Sequence, residues 1–198
     1  MTEINIKSLV QDLIKTFLSA GDISINLRKN GLIKHTKPDN TPVSNGDLEV
    51  NKIITEKLKE LTPLIPIVSE ETSENKSNKN LKDFWLVDPI DGTYDYINNL
   101  DEFTINAGLI LDRKPVAGLI YAPAKKRMFY SYGENHAYEL LKGKEVKLNG
   151  NRNYDKDKIK FVSYSNKIKP EIQKIFDKLN VKEYTRMKSS LKFCVIAS

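Results

Sequence analysis

WLVDPIDGT, residues 85–93, is the stretch on which the reading of this chain turns. Phe84–Val87 is apolar and β-prone, and it reads as a buried strand running straight into Asp88. Pro89 and Ile90 separate Asp88 from Asp91. Proline fixes one backbone angle and Gly92 relieves steric limits, so the spacing predicts a tight turn that brings both carboxylates to one site. The Ile90 carbonyl would face the same place. Hard, oxygen-only donors of this kind suit magnesium far better than zinc. With two histidines and one cysteine in the whole chain, no nitrogen–sulfur cluster competes. A plain acidic turn is the other reading of the same residues.

Upstream, Ile6, Leu9, Val10, Leu13, Ile14, Phe17 and Leu18 follow a 3.6-residue period and predict a first helix. Polar residues 34–46 read as a loop, and Val50, Ile53, Ile54, Leu58 and Leu61 line one face of a second helix, stopped by Thr62-Pro63. Ser44 to Asp47 fits a capping box, which gives Asp47 a structural role at the helix start. Ile65–Val68 is a short strand leading to Ser69-Glu70-Glu71. In one sheet Glu70 would lie beside Asp88, and like charges buried together need a cation; a solvated Glu-Glu loop is the alternative. Residues 72–82 form a polar excursion.

Downstream, Thr93 is expected to cap a helix of two turns, whose free N–H groups could bind phosphate. Strands at 104–111, 115–121, 127–132 and 136–140 read as an antiparallel meander. A strand at 160–165, a helix around 170–179 and a strand near 181–186 follow. SSLKFCVIAS then begins an apolar helix at the very end, with Cys194 as a core residue.

The composition, 39% hydrophobic and 29% charged, is that of an ordinary globular protein. A lone cysteine leaves no internal disulfide framework and fits a reducing cytoplasm. No apolar run approaches the roughly 18 residues of a membrane span, and the charged first helix does not read as a signal peptide. The net charge of +6 is uneven: residues 1–112 hold 12 Lys/Arg against 18 Asp/Glu, and residues 113–198 hold 20 against 8. Such a split suits an acidic half that holds cations and a basic half that attracts a polyanion; solvating surface lysines are the plain alternative. No basic stretch interleaved with aromatics points to nucleic acid.

Taken together, Asp47, Glu70-Glu71 and DPIDGT at 88–93 resemble, in order and spacing, the signature of the inositol monophosphatase superfamily. DNTPVSNGD (39–47), IPIVSEE (65–71), EFTINAGLI (102–110), GLIYAPA (118–124) and SSLKFCVIA (189–197) are similar to its CysQ-like 3′(2′),5′-bisphosphate nucleotidase branch. The resemblance implies a layered αβαβα sandwich of the inositol monophosphatase and fructose-1,6-bisphosphatase type. It divides the chain into an N-terminal α+β part, residues 1–157, and the beginning of an α/β part, residues 158–198. It implies Glu70, Asp88, the Ile90 carbonyl and Asp91 as ligands of two or three magnesium ions, with Asp47 and Thr93 orienting and helping to deprotonate the attacking water. Glu70, Ile90, Asp91, Gly92 and Thr93, with Ser189, Ser190 and Lys192, would meet the substrate. The implied reaction is removal of the 3′-phosphate from 3′-phosphoadenosine 5′-phosphate, with lithium as an inhibitor, in the cytoplasm. Peripheral membrane contact and a homodimer are further expectations. An inositol or sugar monophosphatase is the rival on the same scaffold.

Two departures stand out. Relatives of this branch often carry a Lys-Glu-Phe-like run after DGT, where this chain has Tyr94-Asp95-Tyr96, without the cation. The family's Trp-Asp-x-Ala-Ala segment, whose aspartate is a further ligand, is absent; the sole tryptophan is Trp85. The expectation is therefore a chain truncated at its C-terminus, its missing ligand beyond Ser198 and its own activity small, or a remnant that binds metal or nucleotide without turnover.

Overall fold

In the computed structural model, which describes residues 4–72, 74–78, 80–150, 159–165 and 167–198, the N-terminal repeat becomes helix α1 (Ile6–Asn30). Asn5 caps it, its Oδ1 accepting from the Ser8 N–H at 3.0 Å. The helix runs well beyond Leu18 because Ala20, Gly21 and Ser24 are small and buried, which lets it lie close against the sheet. A Cβ on Gly21 would stand 2.2 Å from the Tyr121 ring.

The stretch expected as loop is instead an antiparallel pair, β1 (Lys34–Thr36) and β2 (Pro42–Ser44). Its tip turns on Asn40 at φ 64°, with Asp39 Oδ1 accepting from both the N–H and the hydroxyl of Thr41. All of β1 and residues 38–41 of the tip are exposed, so no hydrophobic pattern announces the hairpin. Helix α2 (Asn45–Leu61) follows, with the expected capping box between Ser44 and Asp47.

Seven strands form one sheet in sequential order: β3 (Ile67–Ser69), β4 (Phe84–Asp91), β5 (Thr104–Leu111), β6 (Lys114–Ala122), β7 (Arg127–Tyr132), β8 (Ala137–Leu141) and β9 (Lys144–Leu148). Among the described residues of this sheet only the β3–β4 pair is parallel; β5 to β8 form the expected meander, which β4 and β9 extend antiparallel on either side. Strand β9 had no sequence signal, since Lys-Glu-Val-Lys is exposed throughout on the sheet edge. Short helix α3 (Thr93–Ile97) lies between β4 and β5.

Strand alternation sorts the sheet's two faces. Trp85, Val87, Leu109, Leu119 and Met128 point to α1 and α2, where they meet Leu13, Phe17, Val50, Ile54 and Leu58 in the core. Each such buried side chain contributes about 1.5–3 kcal/mol. Trp85 also satisfies its one polar group, donating Nε1–H to Thr62 Oγ1 at 3.0 Å. The opposite face carries Leu86, Asp88, Asn106, Gly108, Gly118 and Ile120, and they line a trough of about 610 Å³.

Beyond it lies a second, parallel pair, β10 (Lys160–Ser163) and β11 (Glu183–Arg186), joined through α4 (Pro170–Leu179). Phe161, Phe176 and Tyr184 pack there, the two phenylalanine rings 4.6 Å apart. Helix α5 (Leu191–Ala197) bridges the two sheets. Its Leu191 and Cys194 sit on Ala122 and Phe129 of the large sheet, and burial pushes the Cys194 thiol up to about 11. This is the layered α/β arrangement that the resemblance implies. The boundary expected at 157–158 falls within residues 151–158, outside the described residues. Among the described residues no helix is long and apolar enough to cross a membrane.

Candidate active site

Parallel pairing sets the first two acids side by side. Ser69 is in register with Val87, and the Glu70 N–H donates to the Val87 carbonyl at 3.0 Å, so Glu70 stands next to Asp88. The tight turn expected at Pro89 is not what brings Asp91 in. β4 stays extended through Asp91, and against β5 Asp88 pairs with Asn106 and Asp91 with Thr104. Three steps on one strand thus match two on its neighbour, a β-bulge with one extra residue. In a regular strand residues three apart face opposite sides. The bulge reverses that parity, and both aspartates line the same trough.

Gly92 ends the strand at φ 97°, ψ 38°, where a Cβ would lie 2.9 Å from the Glu102 carbonyl oxygen. Gly92, not Thr93, is the N-cap of α3. The Thr93 hydroxyl is therefore available, and it lies 2.9 Å from Asp47 Oδ1 and 3.0 Å from the Ile90 carbonyl. Having one proton, it donates to one of them at a time. Asp47 is fully buried and does both things weighed for it. Its Oδ2 accepts from the N–H (2.8 Å) and hydroxyl (2.6 Å) of Ser44 to cap α2, while Oδ1 faces Thr93. Burial raises its carboxyl pKa, and these hydrogen bonds only partly oppose that.

Lys37, on the turn after β1, was not picked out from the sequence. Its ammonium donates to Glu70 at 3.0 Å and to the nearly buried Glu71 at 2.8 Å. Burial works against that charge, but the two carboxylates outweigh it and hold the lysine pKa above its ordinary value. Burial likewise raises Glu71, against the pull of Lys37. Lys76 donates its ammonium to the Glu70 carbonyl.

From the far end of the chain, the Ser190 N–H donates to Asp91 Oδ2 at 2.5 Å. The Ser190 hydroxyl meets Asn106 Oδ1 at 2.7 Å and Thr104 Oγ1 at 2.8 Å. Ser189 and Lys192 stand one step further off: Ser189 is buried, and the Lys192 ammonium folds back onto the Ser189 carbonyl at 2.8 Å. Asn106 and Thr104 carried no signal in the sequence, since polar residues in a strand look like solvent-facing ones.

Among the described residues no three Asp, Glu, His or Cys side chains are gathered at ligation geometry. Lys37 holds Glu70 and Ser190 holds Asp91. Asp88 is different: its Oδ1 is buried and, among the described residues, has no hydrogen-bond partner. Burial, then the charges of Asp91 and Glu70, push its carboxyl up to about 8. A naked acceptor among like charges, with oxygen donors only, is what a hard divalent cation would satisfy, so these residues fit magnesium.

The inositol monophosphatase family model matches residues 3–198. A 3′(2′),5′-bisphosphate nucleotidase CysQ of Aggregatibacter actinomycetemcomitans is 37% identical over 142 residues, covering 71% of this chain and 53% of that protein. The chain thus spans little more than half the length of that relative. The crystal structure of CysQ from Bacteroides thetaiotaomicron superposes with a TM-score of 0.74 at 26% identity, over 98% of this chain and 78% of that one. An IMPase/NADP phosphatase solved with Mg2+ and phosphate gives a TM-score of 0.73 at 19% identity, over 91% of this chain and 67% of that one, a likeness of fold.

Proposed function

Because this chain belongs to the inositol monophosphatase family, we propose that it works as a magnesium-dependent phosphatase of small phosphorylated molecules, and specifically as a 3′(2′),5′-bisphosphate nucleotidase. The observation that carries the phosphatase reading is the unpartnered Asp88 Oδ1 amid Asp91, Glu70 and Glu71. The substrate follows the CysQ relative at 37% identity.

In this reading Glu70, Asp88, Asp91 and the Ile90 carbonyl would hold the cation, which would take the place of Lys37 as the partner of Glu70. Magnesium bound there would neutralise phosphate charge and sharpen the attacking water. The Thr93 hydroxyl donates to Asp47, which leaves the threonine oxygen free to accept a proton from water. Asp47, its basicity raised by burial, draws that proton onward. The first N–H groups of a helix have no intrahelical acceptor, and those of Gly92 and Thr93 hold the phosphate oxygens. Water adds to phosphorus, the bond from phosphorus to the 3′ oxygen breaks, and that oxygen takes a proton from solvent while Asp47 returns its own to solvent, giving AMP and phosphate.

Residues 158–198 read as a second α/β part, with Ser189, Ser190 and Lys192 toward the nucleotide. A cytoplasmic location and a homodimer complete the proposal. Phosphate release from 3′-phosphoadenosine 5′-phosphate and from inositol 1-phosphate, measured side by side at millimolar magnesium, tests it. The nucleotide should turn over faster and need the cation; faster release from the inositol ester would overturn the substrate assignment.

A further inference from the structure

Ser190 lies 99 residues from Asp91 in sequence, yet its N–H sits on Oδ2. What delivers it is the residue two positions earlier. The Lys188 ammonium donates to Asp95 Oδ1 at 2.6 Å, and the Asp95 side chain is only 4% exposed. The Lys188 N–H donates to Glu102 Oε2 at 2.9 Å. Just before, the Met187 N–H donates to the Ser163 carbonyl of β10 at 2.9 Å. Just after, Ser189 is buried at φ 51°, a left-handed backbone state that is uncommon for a serine. That left-handed step points Ser190 at the strand end. Residues 187–190 are therefore a strap, stitched by two acids of the segment 95–102 across the end of β4.

The sequence lacks a cation at position 94. Tyr94 stands there, and the Lys188 ammonium, from the other part of the chain, lies 5.9 Å over its ring. An ion pair with one member almost buried fixes geometry as an exposed pair does not, because separating it strands a buried charge. An N–H held on a carboxylate locks that carboxylate's orientation, and such outer partners commonly change cation affinity 10–100-fold.

We infer that Lys188 and Asp95 are the positioning pair of this site: through the strap they hold the Ser190 N–H on Asp91 and so set how tightly the acidic site binds a divalent cation. This rests on the reading of Asp91 as part of the cation site. Neither residue touches the reacting atoms.

The test uses the 198-residue chain, Mn2+ as the probe titrated by electron paramagnetic resonance, and amide hydrogen exchange of Ser190 in the metal-free protein. Lys188→Met and Asp95→Asn should each weaken Mn2+ binding about 10–100-fold and speed Ser190 exchange at least tenfold. The double variant should bind no more weakly than either single one, and Lys188→Arg should bind within a few-fold of the parent. Asp95→Asn keeps the side-chain shape, so it decides the matter if Lys188→Met does not fold. Asp91→Asn is the control for the site itself. Mn2+ binding within twofold of the parent in Asp95→Asn, while Asp91→Asn loses tenfold or more, would overturn the positioning pair and leave the cation site standing. Unchanged binding in Asp91→Asn would overturn both.

Discussion

Replacing Asp88 by asparagine should make the metal-free protein more stable and abolish the proposed phosphatase activity. An acid whose folded-state pKa is raised costs stability wherever the unfolded chain is already ionised. For Asp88 that cost is absent below about pH 4, grows as pH climbs, and is complete near pH 8, since its carboxyl moves from 3.8 to about 8. At full strength this is on the order of 6 kcal/mol. Solvent and counterions reach the mouth of the trough, and we take about 1–3 kcal/mol as the realistic share. For a chain of this size that raises Tm by roughly 3–10 °C at pH 8. At pH 4 the protonated aspartate and the asparagine are nearly equivalent, and the two proteins should melt together. Magnesium reverses the ranking. A ligand at 100 times its Kd adds about 2.7 kcal/mol to the protein that binds it, and only the parent should gain. Thermal melts of both proteins at pH 4 and 8, with EDTA or with magnesium at about 100 times the parent's Kd, check each arm. Asp88→Asn no more stable than the parent at pH 8 in EDTA would refute the crowded-carboxylate argument. Equal magnesium stabilisation of both would refute the cation assignment.

Thr93→Ala should lower kcat by about 10²–10⁴ with KM little changed, and should lower Tm by a few degrees because the buried Asp47 Oδ1 loses its hydroxyl donor; steady-state kinetics with a melt alongside decide it. Gly92→Ala should cost about 2–4 kcal/mol, from a left-handed backbone and the contact with the Glu102 carbonyl oxygen, read as a lower urea midpoint with activity lost. Removing magnesium with EDTA should abolish phosphate release and restoring it should return the activity, while added lithium, by likeness to the family, should inhibit; release insensitive to both would contradict the proposed chemistry.

Much was legible in the residues themselves. The 3.6-residue period of α1 and α2, the capping box at Ser44–Asp47 and the meander from β5 to β8 are local patterns, and local patterns survive folding when the packing agrees with them. DPIDGT with an upstream Glu-Glu drew attention to these carboxylates through its resemblance to a family signature, while spacing alone left an acidic turn and a solvated loop open. The β1–β2 pair and β9 were not legible: their exposed, polar strands carry no burial pattern.

The sequence by itself determined which residues bear charge, and it predicted strands running into Glu70 and Asp88, although β4 continues through Asp88 to Asp91. It also determined that Gly92 can turn where other residues strain. Only the tertiary structure decided that Asp88 and Asp91 share a face, because a one-residue bulge depends on how β4 pairs with β5. It alone showed Asp47 serving the helix cap and Thr93 at once, since a carboxylate has two oxygens and their directions are set by separate elements. It alone joined Lys188 to Asp95 and Ser190 to Asp91, contacts spanning more than ninety residues. Side-chain period and propensity describe neighbours along the chain; what meets across it depends on register and packing.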